Sequence, residues 1–137
     1  MSNNIHNMAT ANSILKLFNN HLIEFISDVI SIFPKNLDLK TGKTFMEGMR
    51  KVNPKKLIQV WKIGVADVYK NQIESNNFDF FLNKDYKNDL PDDHDNKLIT
   101  TIDDIKRLLK TTSDKNKYKS MKYVQNLSKM SNLYFLQ

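Results

Sequence analysis

From Asn12 to Phe33 the apolar side chains fall at Ile14, Leu15, Phe18, Leu22, Phe25, Ile26, Val29, Ile30 and Phe33. Steps of three and four match the 3.6-residue turn, so the segment is predicted to be an amphipathic helix with a stripe wide enough to be buried on two sides. Asn12 or Ser13 can cap its start, and Pro34 ends it by disfavouring helical backbone at Phe33. Residues 1–11 precede the pattern and are expected to form a flexible N-terminal tail, leaving 12–137 as a single domain. Lys35 to Lys40 read as a polar turn, followed by a short second helix over Thr41 to Val52 that carries Phe45, Met46, Met49 and Val52 on one side.

Asn53-Pro54 is a helix-start signal, because proline at the first helical position loses only an N–H that would be unpaired there anyway. The third helix is predicted to reach about Glu74 with the stripe Leu57, Ile58, Trp61, Val65, Val68, Tyr69 and Ile73, and with Lys55, Lys56, Lys62, Lys70 and Glu74 opposite. Gly64 within it costs about 1 kcal/mol relative to alanine unless it permits a close helix contact, which is the expectation here. The period then breaks between Ser75 and Asp95, where Phe78, Phe80, Phe81, Leu82, Tyr86 and Leu90 are set among Asn and Asp. A packed, acidic, Phe-rich connection is predicted, with one helical turn at Phe78 to Asn83, because a fully solvated loop has no use for three phenylalanines in four positions. A fourth helix capped by Asp95 or Asn96 carries Leu98, Ile99, Ile102, Ile105, Leu108 and Leu109. The last, capped by Asp114, carries Tyr118, Met121, Val124, Leu127 and Met130. The whole is an all-α domain of about five helices.

Composition narrows the chemistry. The 137 residues include no Cys, which excludes disulfide scaffolds and zinc fingers, and the three glycines, Gly42, Gly48 and Gly64, stand too far apart for a phosphate-cradling loop. The most hydrophobic segment, Leu22 to Phe33, is interrupted by Glu24, Ser27, Asp28 and Ser31, short of the ~20 apolar residues of a membrane span. The first residues lack the basic and apolar regions of a signal peptide, so the chain is expected to be neither secreted nor membrane-spanning.

Charge is segregated: residues 1–34, 35–70, 71–104 and 105–137 carry net −1, +6, −6 and +7. An acidic connection folding against either basic arm cancels much of its field, so overall basicity overstates the case for nucleic acid. Nineteen of the 21 basic residues are Lys, and only Arg50 and Arg107 offer the planar fork suited to base edges. Nucleic-acid contact, if made, is therefore expected to be nonspecific.

Few short stretches approach a known chemical motif, and none completes one. Thr41-Gly42-Lys43-Thr44 resembles the end of a P-loop, but Leu37 stands where its first glycine is needed. The run Asp85, Asp89, Asp92, Asp93, His94, Asp95 departs from the calcium-loop spacing and lacks its glycine. His6, His21 and His94 are dispersed, and Ser27, Ser31 and Thr112 have no recognisable base. Glu24 and Asp28 lie one helical turn apart, a spacing common on solvated faces, and Trp61, Tyr69, Phe78, Phe80 and Phe81 are better placed for core packing than for stacking on bases. No catalytic, metal or cofactor residue is predicted. One surface feature stands out: Lys115, Lys119 and Lys122, three and four apart, project from one face of the last helix and are the candidate partner-binding residues.

The stretches FNNHLIEFISDVISIFP, MRKVNPKKLIQVWK, VYKNQIESNNFDFFLNKDY and YVQNLSKM give residues 14–134 a pattern that resembles a family of small α-helical proteins of nucleocytoplasmic large DNA viruses, the giant viruses. That family has no assigned activity, so the resemblance brings no site residues. It implies a non-enzymatic viral structural or interaction protein, a virion or virus-factory component in the host cytoplasm that binds other proteins through helix faces. The alternatives are a nonspecific nucleic-acid-binding accessory and an adaptor to a transcription or translation complex.

Overall fold

The computed structural model describes residues 2–83 and 96–137. Helix α1 spans Ser2–Ile32. It starts ten residues before the expected cap, so Asn12 and Ser13 lie inside it and the segment expected as a tail is helical in backbone from Ser2. Nothing between residues 2 and 33 is Pro or Gly, and once a helix is nucleated, adding residues to it costs little. Pro34 ends it as expected, in a turn where Asn36 N–H donates to the Phe33 carbonyl at 3.1 Å.

Helix α2 spans Leu37–Val52 and begins earlier than its apolar pattern suggests. The Asn36 side chain caps it by accepting from Leu39 N–H at 3.0 Å, Asp38 occupies the first turn, and Arg50 and Lys51 the last, so caps and charges agree with the helix dipole. Leu39 is thereby fully buried, while Val52, expected on the stripe, is 85% exposed. Thr41 to Thr44, expected at the start of this helix, lie inside it. Gly42 is where α2 meets α6: a Cβ there would stand 2.5 Å from Thr101 Cγ2.

The third segment is broken. Asn53 closes α2, its N–H donating to the Met49 carbonyl at 2.7 Å, and does not cap the next helix. Helix α3 spans Lys56–Trp61, a π-helical turn occupies Lys62–Ala66, and α4 spans Lys70–Glu74. The side chains of Leu57, Trp61, Val65, Tyr69 and Ile73, all buried, recur every four residues. At 3.6 residues per turn such a row drifts by about 40° per step, and a wider π turn takes up the drift. Gly64 lies in that turn, where a Cβ would come within 3.3 Å of Ile99 Cδ1, the close contact expected of it. The same change of phase turns Val68 outward, contrary to expectation.

Helix α5, Phe78–Asn83, is the predicted turn, and it buries Leu82 and half-buries Phe78 against the core. Before it, Asn76 takes a left-handed backbone (φ 59°), a conformation Asn tolerates at helix ends. The Gln125 side chain donates to the Ile73 carbonyl at 3.1 Å and to Asn76 Oδ1 at 2.5 Å, fastening this end of α4 to α7. The rest of the acidic connection, including the expected cap Asp95, lies outside the described residues. Helix α6 spans Asn96–Leu109, and α7 spans Asp114–Tyr134 with Ser113, not Asp114, as its cap, accepting from Asn116 N–H at 3.2 Å.

Helix α1 packs along α7 and α2, and α2 packs on α6. Trp61 joins three helices: it is 2% exposed, meets Phe18 edge-on with ring centres 6.2 Å apart, and donates its indole N–H to Ser128 Oγ at 3.1 Å. Asn19, also buried, donates to the Pro54 carbonyl at 3.0 Å and holds α1 against the start of the broken segment. Taking α3, the π turn and α4 as one broken rod, the domain is compact and all-α with six helical units, and the described residues contain no strand. Among them no helix is long and apolar enough to cross a membrane.

Candidate functional site

Helix α7 has two unlike sides. Ser120, Met121, Val124, Leu127, Ser128 and Ser131 are buried toward the core. Lys115, Lys119 and Lys122 are exposed on the opposite side, as their spacing predicts. Among the described residues none of the three is ion-paired. Lys122 Nζ rests 5.2 Å from the centre of the Tyr118 ring. Tyr118, expected on the apolar stripe, is 65% exposed and belongs to this outer surface, because at about 100° per residue it lies roughly 120° round the helix from Val124 at the middle of the buried side.

Along its edge with α1 this surface meets an acidic one. Tyr123 stacks on Phe25 with ring centres 4.9 Å apart, and its hydroxyl donates to the carboxylates of Asp28 and, at 3.3 Å, of Glu24. The two acids expected to be a solvated pair are thus gathered by one phenol. Burial, together with the two carboxylates, raises the Tyr123 pKa well above its ordinary value, which keeps the phenol protonated as the hydrogen-bond donor between them. His21 Nδ1 stands 3.6 Å from Glu24 Oε2, and its ring lies 4.7 Å from that of Tyr123. Between the helices runs a groove of about 260 Å³ with Lys119, Asn116 and Tyr123 on the α7 side and Phe25, Asp28 and Ser31 on the α1 side.

Nothing in the sequence singled out Tyr123; it is 95 residues from Asp28, and only the antiparallel packing of α1 and α7 unites them. A second groove of about 270 Å³ lies between α2 and α6, lined by Asp38, Thr41, Phe45, Lys97, Thr100 and Asp104. The P-loop-like tetrad borders it from within α2, where its backbone N–H groups serve the helix and are not free to cradle a phosphate. Trp61 and Tyr69 are buried in the core, not presented to bases. Asp85 to Asp95 and His94 lie outside the described residues, and within those residues no group of three His, Asp or Glu side chains is arranged to hold a metal ion.

Comparison of the chain with protein-family models, with curated proteins and with solved structures finds no match to any.

Proposed function

We propose that this chain is a non-enzymatic interaction protein that receives an acidic protein partner on the outer face of α7. The observation that carries the reading is the row Lys115, Lys119, Lys122, exposed, aligned and without an ion pair among the described residues. Ammonium groups left unneutralised on a rigid helix attract an oppositely charged surface at long range and lose little hydration until contact. The further reading, a virion or virus-factory component in the host cytoplasm, rests on the sequence resemblance to giant-virus proteins alone.

The test is the triple variant Lys115→Glu, Lys119→Glu, Lys122→Glu, compared with wild type by affinity purification from infected cells and mass spectrometry. The variant is expected to melt within a few degrees of wild type and to lose protein partners that wild type releases as salt is raised. Recovery of the same partners at the same salt from both proteins would refute it. Partners that nuclease treatment releases would instead favour nonspecific nucleic-acid binding, and recovery of transcription or translation machinery the adaptor reading.

A further inference from the structure

The surface that carries the lysine row also carries its own complement. On α1, Leu17, Glu24 and Asp28 share a side, being seven and four residues apart, and Glu24 is 62% exposed. The stacking of Tyr123 on Phe25 fixes the antiparallel register: Asp28 and Lys119 stand on opposite sides of the groove, and Glu24 and Lys122 follow about one turn further along their helices. Running the same register toward the other end brings Leu17 level with Ser131, two residues from Leu133. Both leucines are exposed, at 59% and 45%. One edge of the surface is therefore acidic and the other basic at one end, with an exposed leucine on each edge at the other end.

We infer that this face binds a second copy of the same chain about a two-fold axis running along the α1–α7 groove. Turning one copy over about that axis exchanges the two edges without changing the level. Glu24 and Asp28 of one copy then face Lys122 and Lys119 of the other, and Leu17 faces Leu133, each contact made twice as an isologous interface requires. The inference rests on the proposed role of the lysine row and names the acidic surface it meets. Two helices about 10 Å apart and about 30 Å long offer roughly 600 Å² per copy, some 1,200 Å² in all, the lower end of specific interfaces. A reversible, salt-sensitive dimer is the expected product. Glu24 and Asp28 have no lysine or arginine partner among the described residues, so the intermolecular pairs displace no lysine or arginine pair.

The test is sedimentation equilibrium of the full chain. Wild type is expected to dimerise at 0.15 M salt and dissociate at 1 M, where screening shortens from about 8 to about 3 Å. The variants Glu24→Lys/Asp28→Lys and Lys119→Glu/Lys122→Glu are each expected to be monomeric, because like charges then face each other. An equimolar mixture of the two is expected to form a one-to-one dimer at least tenfold tighter than wild type. Because Asp28 makes the shorter of the two bonds from Tyr123, the single variants Glu24→Lys and Lys122→Glu, which keep that bond and lose at most the 3.3 Å one to Glu24, repeat the exchange, and circular dichroism verifies that each folds. A wild-type chain that stays monomeric to about 1 mM, a concentration at which even weak specific dimers form, overturns the inference. So does a variant mixture that fails to associate. If the chain is monomeric while the triple lysine variant still loses its cellular partners, self-association fails and the proposed function stands.

Discussion

The core around Trp61 and the seam between α1 and α7 both join these helices, and they do so by different means. In the core, polar atoms are used internally: the Trp61 N–H ends on Ser128, and the Ser131 hydroxyl donates to the Ser128 carbonyl at 2.8 Å. At the seam the Tyr123 hydroxyl, Glu24, Asp28 and Lys119 meet at the surface, where water competes for every bond. Equal numbers of hydrogen bonds therefore carry unequal energies. Burial makes a lost partner expensive, and exposure leaves the same loss to solvent. A bond lost in the core therefore costs more stability than one lost at the seam.

The sharpest test of that contrast is Trp61→Ala, which removes a large ring touching three helices and strands Ser128. A loss of about 3–5 kcal/mol is expected by chemical denaturation, and a melting curve like that of wild type would break the distinction at its strong end. Next comes Gly42→Ala. Its Cβ would stand 2.5 Å from Thr101 Cγ2 and 2.7 Å from Oγ1, which is itself bonded to the Lys97 carbonyl at 2.9 Å. Overpacking is expected to outweigh alanine's better helix propensity and to cost about 1–2 kcal/mol net, with part of it recovered when Thr101→Ala is added.

Tyr123→Phe keeps the stacking on Phe25 and deletes only the hydroxyl, so at this half-exposed position a loss of about 0.5–1 kcal/mol is expected at neutral pH. The sign of its pH dependence follows from the raised pKa. The contribution of the neutral phenol is complete below the unfolded tyrosine value near 10 and is lost as pH rises through the higher folded value. In alkaline difference titration, the absorbance component missing from the variant should belong to a tyrosine that ionises above the ordinary range. The smallest stability effect belongs to the triple lysine variant, with a melting temperature within a few degrees of wild type; a large drop would show that the row is structural after all.

How much of this was legible beforehand depends on the distance over which each feature is determined. Periodicity located the stripes of α1, α6 and α7 and the outward lysine row, because a three-to-four residue step reports local backbone geometry directly, while proline chemistry marked the stop at Pro34 and the clustered phenylalanines marked the turn at Phe78. The same period left the edges of each stripe open. Val52, Val68 and Tyr118 sit at such edges and are exposed, while Leu39, placed by the Asn36 cap, is buried. The π turn was implicit in five apolar residues spaced by four, a signal that a search for the 3.6-residue period passes over.

Local pattern alone sets the all-α class, the positions of most helices and the side of α7 that carries its charge, since each depends on neighbours within one or two turns. Long-range packing places Gly42 against Thr101, brings the Trp61 indole to Ser128, and lets Tyr123 gather Glu24 and Asp28 into an acidic edge beside the lysines. These contacts span up to 99 residues, and a side chain's partner at that distance depends on which helices pack together, information that no local pattern carries.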